Sequence, residues 1–368
     1  MGATTMRAAV IDALGPAESI HMASLPVPEP AAGEVRVRVT ATTVNHVDTF
    51  VRSGAYRTPM TFPFVVGRDL VGTVDAMGDD VSAFRVGESV WCNSLGHGGR
   101  QGAAAEFAIV PQDRLYRVPD GVDPIELVAL VHPAATAWLA LVRHGGLETG
   151  GTAFVGGGGG NVGSCAVAIA RSLGARVVTS AGARDVARLR SLGVEALDYR
   201  DPDLDEALAM ALAPAERARP GEASVVAPSD GADVWLDTSG TFRLAQAVPL
   251  LAQGGRIVLI AGMTRHDEFT FGDLYTHDRS ITGFAISNAS VDDLARAATV
   301  INGLVVSRAV PALPIDRLPL SAASAVHAEL EAGTRRRRAV LLPSLDGVKT
   351  AVASAPADTA GSNDSSGS

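Results

Sequence analysis

The chain has 368 residues, 47% of them apolar, with a net charge of −9 and a mean hydropathy of +0.20. That supplies apolar material for two buried cores, so wholesale disorder is excluded, and the negative charge disfavours nucleic acid or an acidic membrane as partner. No run approaches the roughly 18 uncharged apolar residues of a membrane span, and residues 1–10 lack the basic-then-apolar order of a secretion signal. The two cysteines, Cys92 and Cys165, stand far apart, build neither a disulfide framework nor a metal cluster, and read as small buried hydrophobes. A cytoplasmic enzyme with a small-molecule substrate is expected.

Residues 7–130 carry short apolar or alternating runs at 35–39, 64–67, 71–74, 88–91 and 105–110, punctuated by glycine and proline. Closely spaced strands of this kind predict a compact barrel-like unit. From residue 131 the rhythm changes: strands at 153–155, 176–179, 233–237, 256–261 and 280–284 alternate with helical stretches, the pattern of an open, doubly wound parallel α/β sheet. Residues 212–230, rich in Ala, Pro, Glu, Ser and Gly, read as a surface insertion. After about residue 305 short strands return, so the last part rejoins the first unit. The expected division is 1–130, 131–305, 306–346, and a disordered tail at 347–368. The run Arg335-Arg336-Arg337-Arg338 reads as a solvated turn ahead of a final strand.

The most telling segment is Thr152-Ala153-Phe154-Val155 leading into five glycines and Asn161-Val162-Gly163. The spacing Gly158-x-Gly160-x-x-Gly163 sets a tight turn between a buried strand and a helix, where main-chain N–H groups can meet a pyrophosphate. The helix that follows ends at Gly174, and a second apolar run opens at Ala175. One strand–helix–strand unit of a dinucleotide fold results. At the end of the second strand an NAD-specific site places Asp or Glu; here stand Ser180, Ala181 and Gly182, with Arg184 and Asp185 after them. The missing acid and the nearby arginine favour NADPH over NADH. Ligands of such sheets lie outside the carboxyl ends of the strands, which adds Ser239, Gly262 and Phe284 as cofactor contacts.

Several longer motifs tie these pieces together. Val44-Asn45-His46-Val47-Asp48-Thr49-Phe50-Val51-Arg52-Ser53-Gly54-Ala55-Tyr56, Pro63-Phe64-Val65-Val66-Gly67-Arg68-Asp69, Ala135-Thr136-Ala137-Trp138 and Leu197-Asp198-Tyr199-Arg200 occur in order around the glycine turn. With them the chain resembles the medium-chain dehydrogenase/reductase superfamily, in its zinc-free quinone oxidoreductase branch. The resemblance runs from about residue 6 to residue 343. It implies a Rossmann domain inserted into a GroES-like β-barrel catalytic domain, and a homodimer formed near residues 280–286. It also implies Thr136 beside the nicotinamide and Tyr199 beside the 2′-phosphate. In zinc-dependent relatives a cysteine stands at Asn45, a His–Glu pair at Arg68-Asp69 and a cysteine at His132. Three ligands cannot be assembled from what stands here, so no metal is expected.

Without a metal, hydride passes from the cofactor while the protein orients, excludes water and supplies hydrogen-bond donors. Enone or quinone reduction fits. The resemblance puts Asn45, His46 and Tyr56 on the wall of the cleft, with Tyr56 beside substrate; Asn45 reads as a donor to the substrate oxygen, and His46, where relatives carry an apolar or aromatic residue, as a proton donor or a structural histidine. Asp48 reads as an orienting or capping group. His132 either touches substrate or caps a helix at 133–141. The loop 94–102, with His97, lies over the entrance. The alternatives are a metal-free carbonyl or alcohol oxidoreductase, and a relative that binds cofactor without catalysis.

Overall fold

The computed structural model describes residues 4–213, 230–241, 243–310 and 312–346. The expected insertion at 212–230 and the expected tail lie almost entirely outside these residues. Strands β1 (Thr5–Ile11), β2 (His21–Pro26) and β3 (Glu34–Thr43) open the fold, and helix α1 (His46–Ser53) follows. Next come β4 (Phe64–Val65), β5 (Asp69–Met77), β6 (Ser89–Cys92), β7 (Phe107–Pro111) and β8 (Tyr116–Arg117). β1 lies between β2 and β4 in a small antiparallel sheet, while β3, β5, β6, β7 and β8 pair antiparallel in a second. β1 and β2 are absent from the sequence expectation: β2 neither alternates cleanly nor forms an apolar run, and the apolar part of β1 is the short stretch Ala8–Ile11.

Helix α2 (Pro124–Trp138) connects the two halves, N-capped by Asp123 and opened by a proline, a strong start signal. It runs on to His144, and the 21 residues Pro124–His144 are long and apolar enough to cross a membrane. This corrects the expectation that no run reaches that length. The segment is 83% buried inside the protein, which accounts for its composition: α2 packs on α3, on β5 and on α8, defined below, so it is apolar all round.

The second half contains β9 (Thr152–Gly156), α3 (Asn161–Ser172), β10 (Arg176–Ala181), α4 (Ala183–Ser191), β11 (Glu195–Asp198) and α5 (Leu204–Leu212). It continues with β12 (Ala232–Asp237), α6 (Leu244–Ala247), β13 (Leu251–Leu259), α7 (Phe271–Tyr275), β14 (Ser280–Gly283) and α8 (Val291–Val306). The six strands form one parallel sheet in the order β11-β10-β9-β12-β13-β14, a doubly wound sheet whose order reverses between β9 and β12. The sequence rhythm omits only β11, four residues long. Finally β15 (Ile315–Pro319), α9 (Ala323–Glu331) and β16 (Arg338–Leu342) return to the first half, where β16 pairs antiparallel with the end of β3.

Candidate active site

The glycine turn is built against the protein's own main chain. β9 ends at Gly156, Gly157 adopts φ +78°, and α3 begins at Asn161 behind Gly160. A Cβ at Gly158 would stand 2.1 Å from Thr179 Oγ1 on β10, and one at Gly163 would stand 2.1 Å from the Gly157 carbonyl oxygen. Those two glycines permit strand, turn and helix to touch. Gly160 is different: its nearest neighbour would be the Gly157 carbonyl at 3.3 Å, which leaves the outer side of the turn to a ligand. The left-handed residue is thus Gly157, one before the motif positions read from sequence. The opening N–H groups of α3, at Asn161, Val162 and Gly163, suit a phosphate. A dinucleotide fits this cradle.

Around it lie the other expected contacts. Ser180, at the end of β10, accepts the N–H groups of Gly157 and Gly158 on its carbonyl oxygen, both at 2.9 Å. Tyr199 is half exposed and lies beside Gly182, with the Arg200 guanidinium 5.4 Å above its ring. Arg184 is 75% exposed in its side chain, with Nε 3.5 Å from Asp185. Asp185 also pairs with Arg188 at 3.2 Å and backs against Gly159, so this acid is doubly engaged; Asp198, at the end of β11, stands opposite Ala181. Gly240 and Gly262, both at positive φ, bring the turns after β12 and β13 together beside Ser239. Phe284 stacks on His144 at 4.4 Å, and Thr136 donates its hydroxyl to the His132 carbonyl on α2 at 2.9 Å.

The substrate-side residues converge less simply. Tyr56 donates its hydroxyl to Asn288 Oδ1 at 3.1 Å and stacks on His97 of the 94–102 loop at 5.7 Å. It therefore joins the loop after α1 to the turn after β14. His46 is exposed at the start of α1; desolvation, then Arg338, holds its imidazole below the ordinary pKa. Asn45 is buried at the N-cap of α1, where its N–H donates to Asp48 Oδ2 at 2.7 Å, and Asp48 is the capping group expected. Its side-chain Nδ2 donates to Asp69 Oδ2 at 2.7 Å and to Asp48 Oδ2 at 3.3 Å, while its Oδ1 accepts from Arg338 at 2.6 Å. Both its protons are committed inside the protein. His132 lies in the interior of α2, eight residues beyond the helix start, so it is no helix cap.

Asn45, Asp69 and His132 form one cluster whose centre sequence inspection missed. Arg338, 6% exposed, enters from β16, donating to the Val44 carbonyl at 3.1 Å, to Thr43 Oγ1 at 3.0 Å and to Asn45 Oδ1 at 2.6 Å. Its NH2 lies 3.6 Å from Asp69 Oδ2, and Thr43 donates to the same oxygen at 2.6 Å. Burial alone would raise Asp69, but His132, Arg338 and the Thr43 hydroxyl outweigh it and hold the carboxyl below its ordinary pKa. Arg68 lies 1% exposed beside this group. Arg335 also departs from a solvated turn, bridging Asp316 and Glu329, while Arg336 and Arg337 are exposed as expected and Arg337 pairs with Asp316. The signal available was position. The last arginine of a run entering an apolar strand takes a strand's alternating, half-inward register.

An amide, two guanidinium groups, the Asp69 and Asp48 carboxyls and one imidazole do not make a zinc site: the guanidinium groups lie among the carboxyls, and three coordinating side chains do not converge. Among the described residues no group of three or more His, Cys, Asp and Glu side chains could hold a metal. Cys92 and Cys165 are both free and buried.

Residues 31–120 match the family described as alcohol dehydrogenase GroES-like domain, and residues 161–302 the family described as zinc-binding dehydrogenase. Mouse (Mus musculus) quinone oxidoreductase is 27% identical over 344 residues, 93% of this chain and 98% of that one. A mycobacterial protein solved with NADPH superposes with a TM-score of 0.74 at 26% identity, over 92% of this chain and all of its own. A structure described as an NAD-dependent alcohol dehydrogenase gives 0.75 at 28% identity, over 92% and 99%. The chain belongs to the medium-chain dehydrogenase/reductase superfamily and is quinone oxidoreductase-like, with a GroES-like domain and a Rossmann domain. It is a nicotinamide-dependent oxidoreductase of that family.

Proposed function

We propose that this protein is a zinc-independent, NADPH-dependent reductase that transfers hydride to an enone or a quinone. The observation that carries it is the Arg338 cluster: the positions where zinc-dependent relatives place ligands hold Asn45, Arg68-Asp69 and His132, tied together by a buried guanidinium. Bound at the glycine turn, a reduced nicotinamide supplies the hydride. The chain's own work is to hold the pyrophosphate on the first turn of α3, keep the nicotinamide near Thr136, and present donors to the oxygen that gains charge. NADPH over NADH is supported by Arg200 over Tyr199 and by Arg184 and Arg188, which engage Asp185. His46 and Tyr56 serve at the substrate side. Asn45, with its protons committed, serves by shaping the site. We further place the protein in the cytoplasm as a homodimer. The dimer is supported by β14, the outer strand of its sheet, and by exposed Phe271 and Tyr275 on nearby α7.

The test is NADPH oxidation with a panel of enones, quinones, aldehydes and alcohols, together with metal analysis. Turnover of enones or quinones by zinc-free protein is expected. Turnover confined to aldehydes and alcohols would favour a carbonyl reductase, and stoichiometric zinc would refute the proposal.

A further inference from the structure

We infer that His132 is the group that delivers the proton to the substrate carbon, and that Asp69, locked by Arg338, Asn45 and Thr43, is its positioning residue. This rests on the reductase function proposed above.

Two orphaned atoms face each other. His132 Nδ1 and Asp69 Oδ1 are both buried without a hydrogen-bond partner, and they lie 3.6 Å apart. Buried polar atoms seek partners, and each is the natural one for the other; catalytic hydrogen bonds of this kind are often long before ligand binds. The other Asp69 oxygen, Oδ2, is held at 2.6 Å by Thr43, at 2.7 Å by Asn45 and at 3.6 Å by Arg338, so the carboxylate cannot turn away. The Nδ1–H of His132 therefore belongs to Asp69, which fixes the ring and turns Nε2 outward. The side chain keeps 10% exposure while Nδ1 is sealed, so that exposure falls on the rest of the ring. His132 stands one helical turn before Thr136 on α2, which packs on α3, the helix that starts at the glycine turn. Arg338 reaches the same carboxylate from β16. The pair thus sits where the two domains and the dinucleotide helix meet.

Of the other candidates, Tyr56 is bonded to Asn288 and Asn45 has no uncommitted proton, while His46 is exposed to water at the start of α1. Burial, with Arg68 and Arg338 adding to it and Asp69 opposing, holds the His132 imidazole below its ordinary pKa, which makes its imidazolium, once formed, the stronger proton donor.

Hydride reaches the β-carbon of the enone, forming a C–H bond, and the π pair moves onto the α-carbon and carbonyl oxygen. The Nε2–H bond of the His132 imidazolium breaks, and its proton forms the α-carbon C–H bond. The neutral ring, its Nδ1–H still on Asp69, regains a proton from water. A quinone needs no such donor, because hydride addition leaves a phenolate that water protonates.

The probes are 2-cyclohexen-1-one and 1,4-naphthoquinone. His132→Gln should lower kcat for the enone about 100-fold more than kcat for naphthoquinone, with little change in KM or in NADPH-induced fluorescence. Asp69→Asn should show the same split. Enone turnover within threefold of the original, or a loss produced by His46→Gln and not by His132→Gln, would overturn the inference. The unsubstituted protein gives a check that needs no variant: in D2O a 2-substituted cyclohexenone should take up α-deuterium on one face only, and deuteration of both faces would overturn it. Unsubstituted protein that binds NADPH yet reduces neither probe would refute the reductase proposal itself, and the inference with it.

Discussion

The glycine turn and the Arg338 cluster solve opposite problems within one cleft. The turn is local, uncharged and made of main chain: Gly156 to Gly163 lie within one strand–helix corner, and its function depends on side chains being absent. The cluster is long-range, charged and made of side chains, joining residues 43–48, 68–69, 132 and 338. The first must fail by collision, the second by leaving a buried charge without its counterpart. Each predicts its own kind of damage.

The largest effect should come from the cluster. Arg338→Met removes the cation beside Asp69, and breaking a buried pair from one side costs about 3–5 kcal/mol, read as a fall in the denaturation midpoint. An unchanged midpoint would show that Asp69 is satisfied without it. In the turn, Gly163→Ala puts a methyl 2.1 Å from the Gly157 carbonyl, so a loss of about 1–3 kcal/mol with a larger loss of NADPH affinity is expected. If affinity survived, the helix would not be what holds the pyrophosphate. Smaller still is Arg184→Glu, which should shift the NADPH-to-NADH affinity ratio by about tenfold, about 1.4 kcal/mol, without altering stability. Equal weakening of both nucleotides would remove Arg184 from the 2′-phosphate.

The two regions also differ in their response to pH. Desolvation raises the buried Asp48 carboxyl to about 7, with Asp69 adding to the rise and Arg68 opposing it. A carboxyl whose folded pKa lies above its unfolded value binds its proton more tightly in the folded state, so its contribution to stability declines as pH rises from about 4 to about 7. Asp48→Asn should flatten that part of the profile, seen in melting temperatures measured across the range. A slope as steep as before would assign it to other groups.

This contrast also explains what could be read from sequence. Gly158, Gly160 and Gly163 lie within one short stretch of chain and leave a spacing, and the strands after residue 150 leave a rhythm, so the parallel sheet was legible. The helix Pro124–His144 misled because a core helix between two domains and a membrane span have the same composition. Arg338 was hidden because its partners lie nearly 300 positions away and only the return of β16 to β3 brings them together. Asn45 was assigned to substrate because nothing local reveals that Asp69 and Arg338 consume its amide.

The most direct measurement is NADPH-dependent reduction of 2-cyclohexen-1-one by protein dialysed against a chelator and shown to be free of zinc. Turnover equal to that of untreated protein is predicted. Activity lost on dialysis and restored by one equivalent of zinc would contradict it.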